Sequence, residues 1–398
     1  MLKGKTVVLG VTGGIAAYKI PNLASMLVKQ GCDVHVIMSE NATKFITENT
    51  FEALTSNKCI VDTFDRNHPW EIKHISLANK ADYFLLAPAT ANVIGKIASG
   101  IADDMLTTTV MACRCPIALA PAMNVNMYEN PIVQDNIEKL RRYGYTIIEP
   151  KVGYLACRAV GSGKMPEPSE LYAYIERELS FDKDMKGIKL LVTAGPTIEP
   201  IDPVRYITNH SSGKMGYSIA KAAMLRGAEV TLISGQTALE PLPFVNTISV
   251  TTAEEMFNAV TSISDKQDII IKAAAVADYT PLSVSSEKLK KSDNELSIPL
   301  KRTRDILLHL GQNKREGQFL CGFAMETQNM VENARAKLKA KNLDMIVGNN
   351  LKVEGAGFAT DTNVLTIITP NYEQQLEILS KFECANKVLD AILQTNRQ

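Results

Sequence analysis

The sequence predicts an α/β protein made of two doubly wound, Rossmann-like domains. Short β-rich apolar runs alternate with amphipathic helical patterns from the first residues onward, as expected of parallel sheets covered by helices on both faces. The chain has 398 residues, 45% of them hydrophobic, and single cores stop growing well below that length. A polar segment, 180–187, then interrupts the alternation, and a second strand-loop-helix series starts at Ile188. The domain boundary is therefore placed after residue 182, giving domains 1–182 and 183–398.

In the first domain the strand candidates are 6–11, 33–38, 83–87, 117–120 and 145–148, with helical periodicity over 16–29, 133–142 and 169–179. The Gly- and Pro-containing stretch 151–168 reads as a long loop, and loops of that length are commonly functional. In the second domain the strand candidates are 189–193, 229–233, 247–250, 268–272, 319–323, 345–347 and 364–368, followed by a last helix over 374–393. The two halves share a plan without a residue-level repeat.

Composition narrows the function classes. Lys plus Arg and Asp plus Glu each total 43, so net charge gives no general reason to expect nucleic acid or a membrane surface as partner. The seven Cys are scattered, with no Cys-x-x-Cys pair and no Cys/His set at zinc spacing, which fits a reducing cytoplasm better than a disulfide framework or a structural metal. The apolar run after Met1 to Lys5 is too short for a signal segment, and no later run approaches the roughly 18 residues of a membrane span. A soluble, cytoplasmic protein is the expectation.

The first strand ends in Val11-Thr12-Gly13-Gly14-Ile15-Ala16, where the next helix aims its free amides at whatever sits above the strand, a natural anion site. Gly13 and Gly14 let the backbone approach a phosphate closely, but the spacing is not Gly-x-Gly-x-x-Gly, which counts against a dinucleotide. Later strands end at Met38-Ser39, at Pro88-Ala89-Thr90-Ala91-Asn92 and at Pro121-Ala122-Met123-Asn124, so polar groups converge on one crevice at the carboxyl ends. On chemistry alone, His74 reads as a surface or capping histidine just before a helix, and Asn124 as a helix cap. Cys157 lies beside Arg158 in a glycine-bounded loop, where positive charge favours the thiolate and loop closure excludes water.

The blocks Gly13 to Ala16, Pro88 to Asn92, Ser99-Gly100-Ile101-Ala102-Asp103-Asp104 and Pro121 to Tyr128 resemble the homo-oligomeric, flavin-containing cysteine decarboxylases. The resemblance implies a flavodoxin-like flavoprotein domain binding FMN, with the phosphate near Gly13, Gly14 and Ser39 and further contacts at Thr90 and Ser99. It also implies a catalytic His74 near the substrate carboxylate, Asn124 binding that carboxylate, and Cys157 as proton donor from a substrate flap. Tyr128 stands where many relatives carry Trp. The implied chemistry is coherent. A cysteine carboxylate next to an amide nitrogen has nowhere to put the electrons left by departing carbon dioxide, whereas oxidation of its thiol to a thioaldehyde, with FMN holding the two electrons, supplies a sink. Loss of carbon dioxide then leaves an enethiolate, to which the two electrons and a proton from Cys157 are returned.

The second domain opens with 189–193 running into Ala194-Gly195-Pro196-Thr197, and its next helix begins at Gly213-Lys214-Met215-Gly216. A P-loop reading fails, because Thr208 occupies the first required glycine position and Met215 the magnesium-binding Ser or Thr. Backbone donors at Ser211, Ser212 and Gly213 still make a phosphate-binding turn. The run from Asp202 to Gly216 resembles the phosphopantothenate-cysteine ligases, reinforced by Ala273 to Tyr279, by Glu287-Lys288-Leu289-Lys290-Lys291 and by Gly322 to Thr327. The resemblance implies that Asn209 holds an acyl-cytidylate intermediate and that Lys288 helps form it. Ala273, Ala274, Asp278, Lys288, Asp305, Ile306, Phe323, Lys337 and Lys341 would contact CTP, with Mg2+ offsetting phosphate charge through ligands the sequence does not identify. Lys337 and Lys341, one helical turn apart, equally describe a solvated face, and 288–291 an ordinary charged loop. Thr303-Arg304-Asp305-Ile306 departs from the Asn-Pro-Asp-Ile common among relatives, which leaves base selectivity open.

Together the two resemblances imply a bifunctional enzyme of coenzyme A synthesis acting on 4'-phosphopantothenate, L-cysteine and CTP. They also imply a homo-oligomer of trimeric decarboxylase units, with FMN sites between subunits, and dimeric ligase domains, often a dodecamer. A two-domain nicotinamide oxidoreductase and a non-catalytic flavoprotein scaffold are the alternatives. The missing dinucleotide fingerprint speaks against the first, and His74, Asn124 and Cys157 together against the second.

Overall fold

The computed structural model describes residues 1–64, 72–154, 160–290, 297–326, 330–350 and 360–395. The chain divides into two compact units, Met1–Phe181 and Asp182–Gln398.

The first unit is built on β1 (Thr6–Val11), β2 (Asp33–Met38), β3 (Tyr83–Ala89), β4 (Ile117–Pro121) and β5 (Thr146–Ile147). They form one parallel sheet in the order β2-β1-β3-β4-β5, a flavodoxin-like topology whose direction of winding reverses between β1 and β3. Both faces are covered, so every residue of β1 and β3 is buried. Val7, Leu9 and Val11 join one core and Val8 the other, as the two-residue period of a strand requires. The expected helix over 16–29 is split. A 3-10 turn, Ile15–Lys19, precedes the α-helix Ile20–Lys29, because Pro21 has no amide to give and suits a first helical turn. Leu23, Ala24 and Leu27 then bury one stripe of that helix.

Within the stretch 151–168, expected as an irregular loop, the described residues include a paired ribbon. β6 (Lys151–Tyr154) and β7 (Val160–Lys164) pair antiparallel, and the helix Pro168–Leu179 follows. Cross-strand hydrogen bonds satisfy backbone that glycine and proline content had made look unstructured. Cys157 lies outside the described residues.

The second unit contains β8 (Lys189–Ala194), β9 (Ile198–Pro200), β10 (Tyr206–Thr208), β11 (Glu229–Ser234), β12 (Asn246–Ser249), β13 (Ile269–Lys272), β14 (Tyr279–Pro281) and β15 (Leu300–Arg302). β16 (Phe319–Glu326), β17 (Met345–Asn350), β18 (Thr362–Asn363), β19 (Leu365–Ile368), β20 (Glu373–Gln375) and β21 (Leu379–Ser380) complete it. Its main sheet has eight strands in the order β12-β11-β8-β13-β16-β17-β19-β20. β12 to β17 pair in parallel, whereas β19 and β20 add an antiparallel margin. On one face Leu191, Ile270, Leu320 and Ile346 pack under the helices Ala253–Ile263, Ile306–Gln312 and Met330–Ala340. The helices Lys214–Leu225 and Lys381–Thr395 pack against each other, and Lys214–Leu225 also packs on β8 and β11. Gly216 sets that approach, since a Cβ there would lie 2.6 Å from the Ala194 Cβ.

The last helix starts later than its periodicity suggests. Residues 373–375 pair with the sheet margin as β20, and the helix begins only at Lys381. Ser380 and Glu383 form a reciprocal capping box there: the Ser380 amide donates to Glu383 Oε2 at 3.0 Å and the Glu383 amide to Ser380 Oγ at 3.2 Å.

Candidate active sites

A cleft of about 1140 Å³ opens over the carboxyl ends of β1 to β4 in the first unit, lined by Gly13, Gly14, Ser39, Thr90, Asn124 and Lys164 among others. Its floor is fixed by Thr12, fully buried, whose hydroxyl donates to the Pro88 carbonyl at 2.6 Å and accepts the Thr90 amide at 3.1 Å. Gly13 has no room for a side chain, because a Cβ would stand 2.5 Å from the Asn41 Cβ. Gly163 is as restricted, with φ +136° and a Cβ position 2.2 Å from the Met123 carbonyl oxygen. That close approach lets the Met123 amide donate to the Gly163 carbonyl at 3.2 Å, which binds the ribbon to the turn before Asn124. Asn124 caps the short helix Val125–Tyr128, its Oδ1 accepting from the Asn126 amide at 2.9 Å, and lines the cleft as well.

Charge stands at the rim. Lys19 pairs with Glu167 at 2.6 Å, and this ammonium, against a smaller effect of burial, holds the Glu167 carboxyl below its ordinary range. Lys96 reaches Asp103 at 2.7 Å and Asp104 at 3.0 Å. A mostly uncharged interior with a wide mouth, glycine turns and strand-end amides suits a planar, phosphate-bearing ligand such as FMN. His74 and Ser99 lie outside this cleft. His74 sits within the first turn of the helix Lys73–Lys80 rather than before it, and Ser99 is exposed at the end of the helix Ala91–Ala98.

In the second unit the strand ends gather two neighbouring groups. Asn209 is exposed and donates Nδ2 to the Ala275 carbonyl at 3.2 Å, while the Ala274 amide donates to Thr193 Oγ1 at 3.1 Å, so Asn209 and 273–275 meet above β8 and β13. Gly213, with φ +76°, starts the helix Lys214–Leu225, and Lys214 pairs with Asp361 at 2.7 Å. Beside them a cleft of about 390 Å³ is lined by Asp278, Asp305, Ile306, Phe323, Lys337 and Lys341, together with Lys272, Arg302 and Arg304.

Lys341 pairs with Asp305 at 2.8 Å, and Asp305 caps the helix Ile306–Gln312 by accepting the Leu308 amide at 3.0 Å. Burial opposes ionisation of Asp305, but these donors hold its carboxyl below the ordinary range. Burial pushes the Lys272 ammonium down to about 8, with Asp305 and Asp278 opposing that shift and Lys341 adding to it. Lys288 is exposed and outside this cleft, although its loop is anchored. The Leu289 amide donates to Asp202 Oδ2 at 3.1 Å, and Arg205 Nη2 donates to the Leu289 carbonyl at 2.8 Å. Among the described residues no cluster of three or more His, Cys, Asp or Glu could hold a metal.

Several contributors escaped the sequence reading. Thr12 was visible only as a neighbour of Gly13, and Lys272 only as the polar end of an apolar strand.

Residues 1–180 match the family described as Flavoprotein, and residues 185–395 the DNA/pantothenate metabolism flavoprotein C-terminal domain. The coenzyme A biosynthesis bifunctional protein CoaBC of Bacillus subtilis is 48% identical over 402 residues, covering 100% of this chain and 99% of that protein. The protein of the same name from Vibrio vulnificus is 43% identical over 393 residues, covering 98% of each. A crystal structure of the C-terminal domain of a CoaBC protein is 44% identical, with a TM-score of 0.45, and covers 52% of this chain and 95% of that one. Two domain matches in this order, and relatives aligned from end to end, mean that the chain belongs to the CoaBC family of bifunctional coenzyme A biosynthesis proteins, which join a decarboxylase to a ligase.

Proposed function

We propose that the second unit, 183–398, makes 4'-phosphopantothenoylcysteine from 4'-phosphopantothenate, L-cysteine and CTP with Mg2+. The first unit, 1–182, then decarboxylates that product to 4'-phosphopantetheine with FMN, both in the cytoplasm. The observation that carries this reading is whole-chain similarity to CoaBC proteins combined with a separate cleft at the strand ends of each unit. The nicotinamide and scaffold alternatives have no comparable support.

In the ligase half, joining a carboxylate to an amine requires an activated carboxyl, which transfer to CMP provides. Lys272, Lys337, Lys341 and Arg302 put positive charge around the second cleft, suited to triphosphate and departing pyrophosphate. Asn209, held beside Ala275, would bind the acyl-cytidylate, and Lys288, in the anchored 288–289 loop, would help form it. Mg2+ needs no dedicated cage here, because it keeps waters and is held largely by phosphate oxygens.

In the decarboxylase half, Gly13, Gly14, Ser39 and Thr90 would hold FMN, which when bound supplies a reversible two-electron sink. Asn124 would orient the substrate carboxylate, and Cys157 would donate the proton that completes the saturated thiol. His74 and Ser99 lie away from their own chain's cleft, whereas Ile15, Tyr18 and Met127 expose 57%, 62% and 49% of their surface at its rim. A second copy packed there would cover those apolar side chains and bring its own His74 to the site. That exposed rim supports a homo-oligomer with shared FMN sites, whereas trimeric units joined through ligase dimers rest on the family resemblance alone.

The test is mass spectrometry of 4'-phosphopantothenate, L-cysteine, Mg2+ and CTP incubated with the protein. The expected products are 4'-phosphopantetheine, carbon dioxide, CMP and pyrophosphate, with none formed when CTP is omitted. Cys157→Ser should stop at the decarboxylated, unreduced enethiol, and full conversion by that variant would refute the role of Cys157.

A further inference from the structure

The loop 303–305, on the wall of the second cleft, is held by several neighbouring elements at once. Thr303 donates its amide to the Asp278 carbonyl at 3.0 Å and its hydroxyl to the Ala277 carbonyl at 2.7 Å. Asp305 is fixed by its own helix and by Lys341, as described above. Between them Arg304 turns to the helix Ala253–Ile263. Its Nε donates to Glu254 Oε2 at 3.1 Å, and its Nη2 to the other Glu254 oxygen and to Asn258 Oδ1, the latter at 2.8 Å. The guanidinium carbon lies 3.6 Å from the centre of the Phe257 ring, whose centroid is in turn 5.0 Å from that of His309.

Glu254, Phe257 and Asn258 share one helical face by their spacing, so the planar fork of Arg304 meets a carboxylate, an amide and a ring together. Arg304 lines the cleft, yet its donors face this helix. We propose that Arg304 is a positioning residue for the ligase nucleotide: clamped to Glu254, Phe257 and Asn258, it fixes the loop that presents Asp305 and Ile306, without itself binding phosphate. The proposal rests on the nucleotide reading of the second cleft. The ion pair is exposed, 48% for Arg304 and 62% for Glu254, and pairs of that kind add little to global stability. Its effect is therefore local, on the geometry of the loop.

The experiment compares Arg304→Ala, Arg304→Lys and Glu254→Gln in the full chain, reading CTP-dependent pyrophosphate release, decarboxylation and melting temperature. Arg304→Ala should raise the nucleotide KM about tenfold, with kcat within about twofold and melting nearly unchanged. Arg304→Lys keeps the charge but loses the fork, and should recover only part of the loss. Glu254→Gln should also raise the nucleotide KM, whereas a phosphate-binding Arg304 released from its carboxylate would bind nucleotide more tightly. An unchanged KM in Arg304→Ala, a fall in kcat alone, or a lower KM in Glu254→Gln would overturn the proposal. If the unaltered protein releases no pyrophosphate from CTP while it still decarboxylates, the nucleotide reading itself fails and takes this one with it.

Discussion

The walls of the two clefts are built in opposite ways. In the first unit the floor is glycine turns and strand-end backbone, and its shape is enforced by Gly13 and Gly163, which leave no space for a Cβ. In the second the wall is crowded with long charged side chains, two of which, Lys341 and Arg304, are held by partners on other elements. A backbone cradle is finished when the chain folds and tolerates few substitutions. A side-chain cradle is adjustable, but it depends on electrostatics and therefore on pH and salt.

The largest effect that would sharpen this contrast is expected from Gly13→Ala. A methyl 2.5 Å from the Asn41 Cβ forces the end of β1 to shift, and displacements of about 1 Å can cost about 100-fold in rate. Flavin absorbance and decarboxylation should both collapse while ligation persists, and retention of bound flavin would break the backbone-cradle account. Lys341→Met comes next, because it leaves the carboxylate of Asp305 in the cleft without its ammonium. The nucleotide KM should rise on the order of tenfold or more, read by pyrophosphate release, with decarboxylation unaffected.

Lys272 gives a smaller effect with a defined sign. Its folded pKa, about 8, lies below the ordinary 10.5, so folding disfavours the charged form. That penalty is fully present below about 8 and is relieved as pH rises from about 8 toward 10.5. Lys272→Met should therefore raise the melting temperature near neutrality, with the gain fading at alkaline pH. The same substitution should weaken nucleotide binding near neutrality and flatten its decline above about pH 8, measured by titration calorimetry. The smallest effect is salt. Raising ionic strength from about 0.1 M to about 1 M shortens the Debye length from about 10 Å to about 3 Å, and should raise the nucleotide KM a few-fold while leaving flavin occupancy nearly constant. Equal sensitivity of both sites would erase the distinction.

Much of the architecture was legible because buried parallel strands write themselves as apolar runs. The runs 6–11 and 33–38 match β1 and β2 end to end. Hairpins such as β9–β10 and β14–β15 escaped notice because three-residue strands carry no period. The ribbon β6–β7 was hidden by its glycines and the prolines near it, and the last helix starts later than expected although Ser380 and Glu383 spelled its true start. In the sites, Gly13, Gly14, Ser39, Thr90 and Asn124 gather in one cleft, and Asp278, Asp305, Ile306, Phe323, Lys337 and Lys341 in the other. His74 and Ser99 do not join their set, and nothing in the residue pattern distinguished them from the residues that do. Arg304 registered only as a departure from a pattern, because its partners lie about 50 residues away on another helix.

Thr12 has a further consequence for the first unit. The ladder between β1 and β3 ends at the pairing of Gly10 with Leu86, and beyond its last rung a parallel pair would ordinarily begin to fray. There the Thr12 hydroxyl, bonded to the Pro88 carbonyl and the Thr90 amide, replaces the missing rung at the point where the sheet changes its direction of winding. The entropy of ordering this floor is thus spent during folding, and a ligand arriving later meets a surface it does not have to organise.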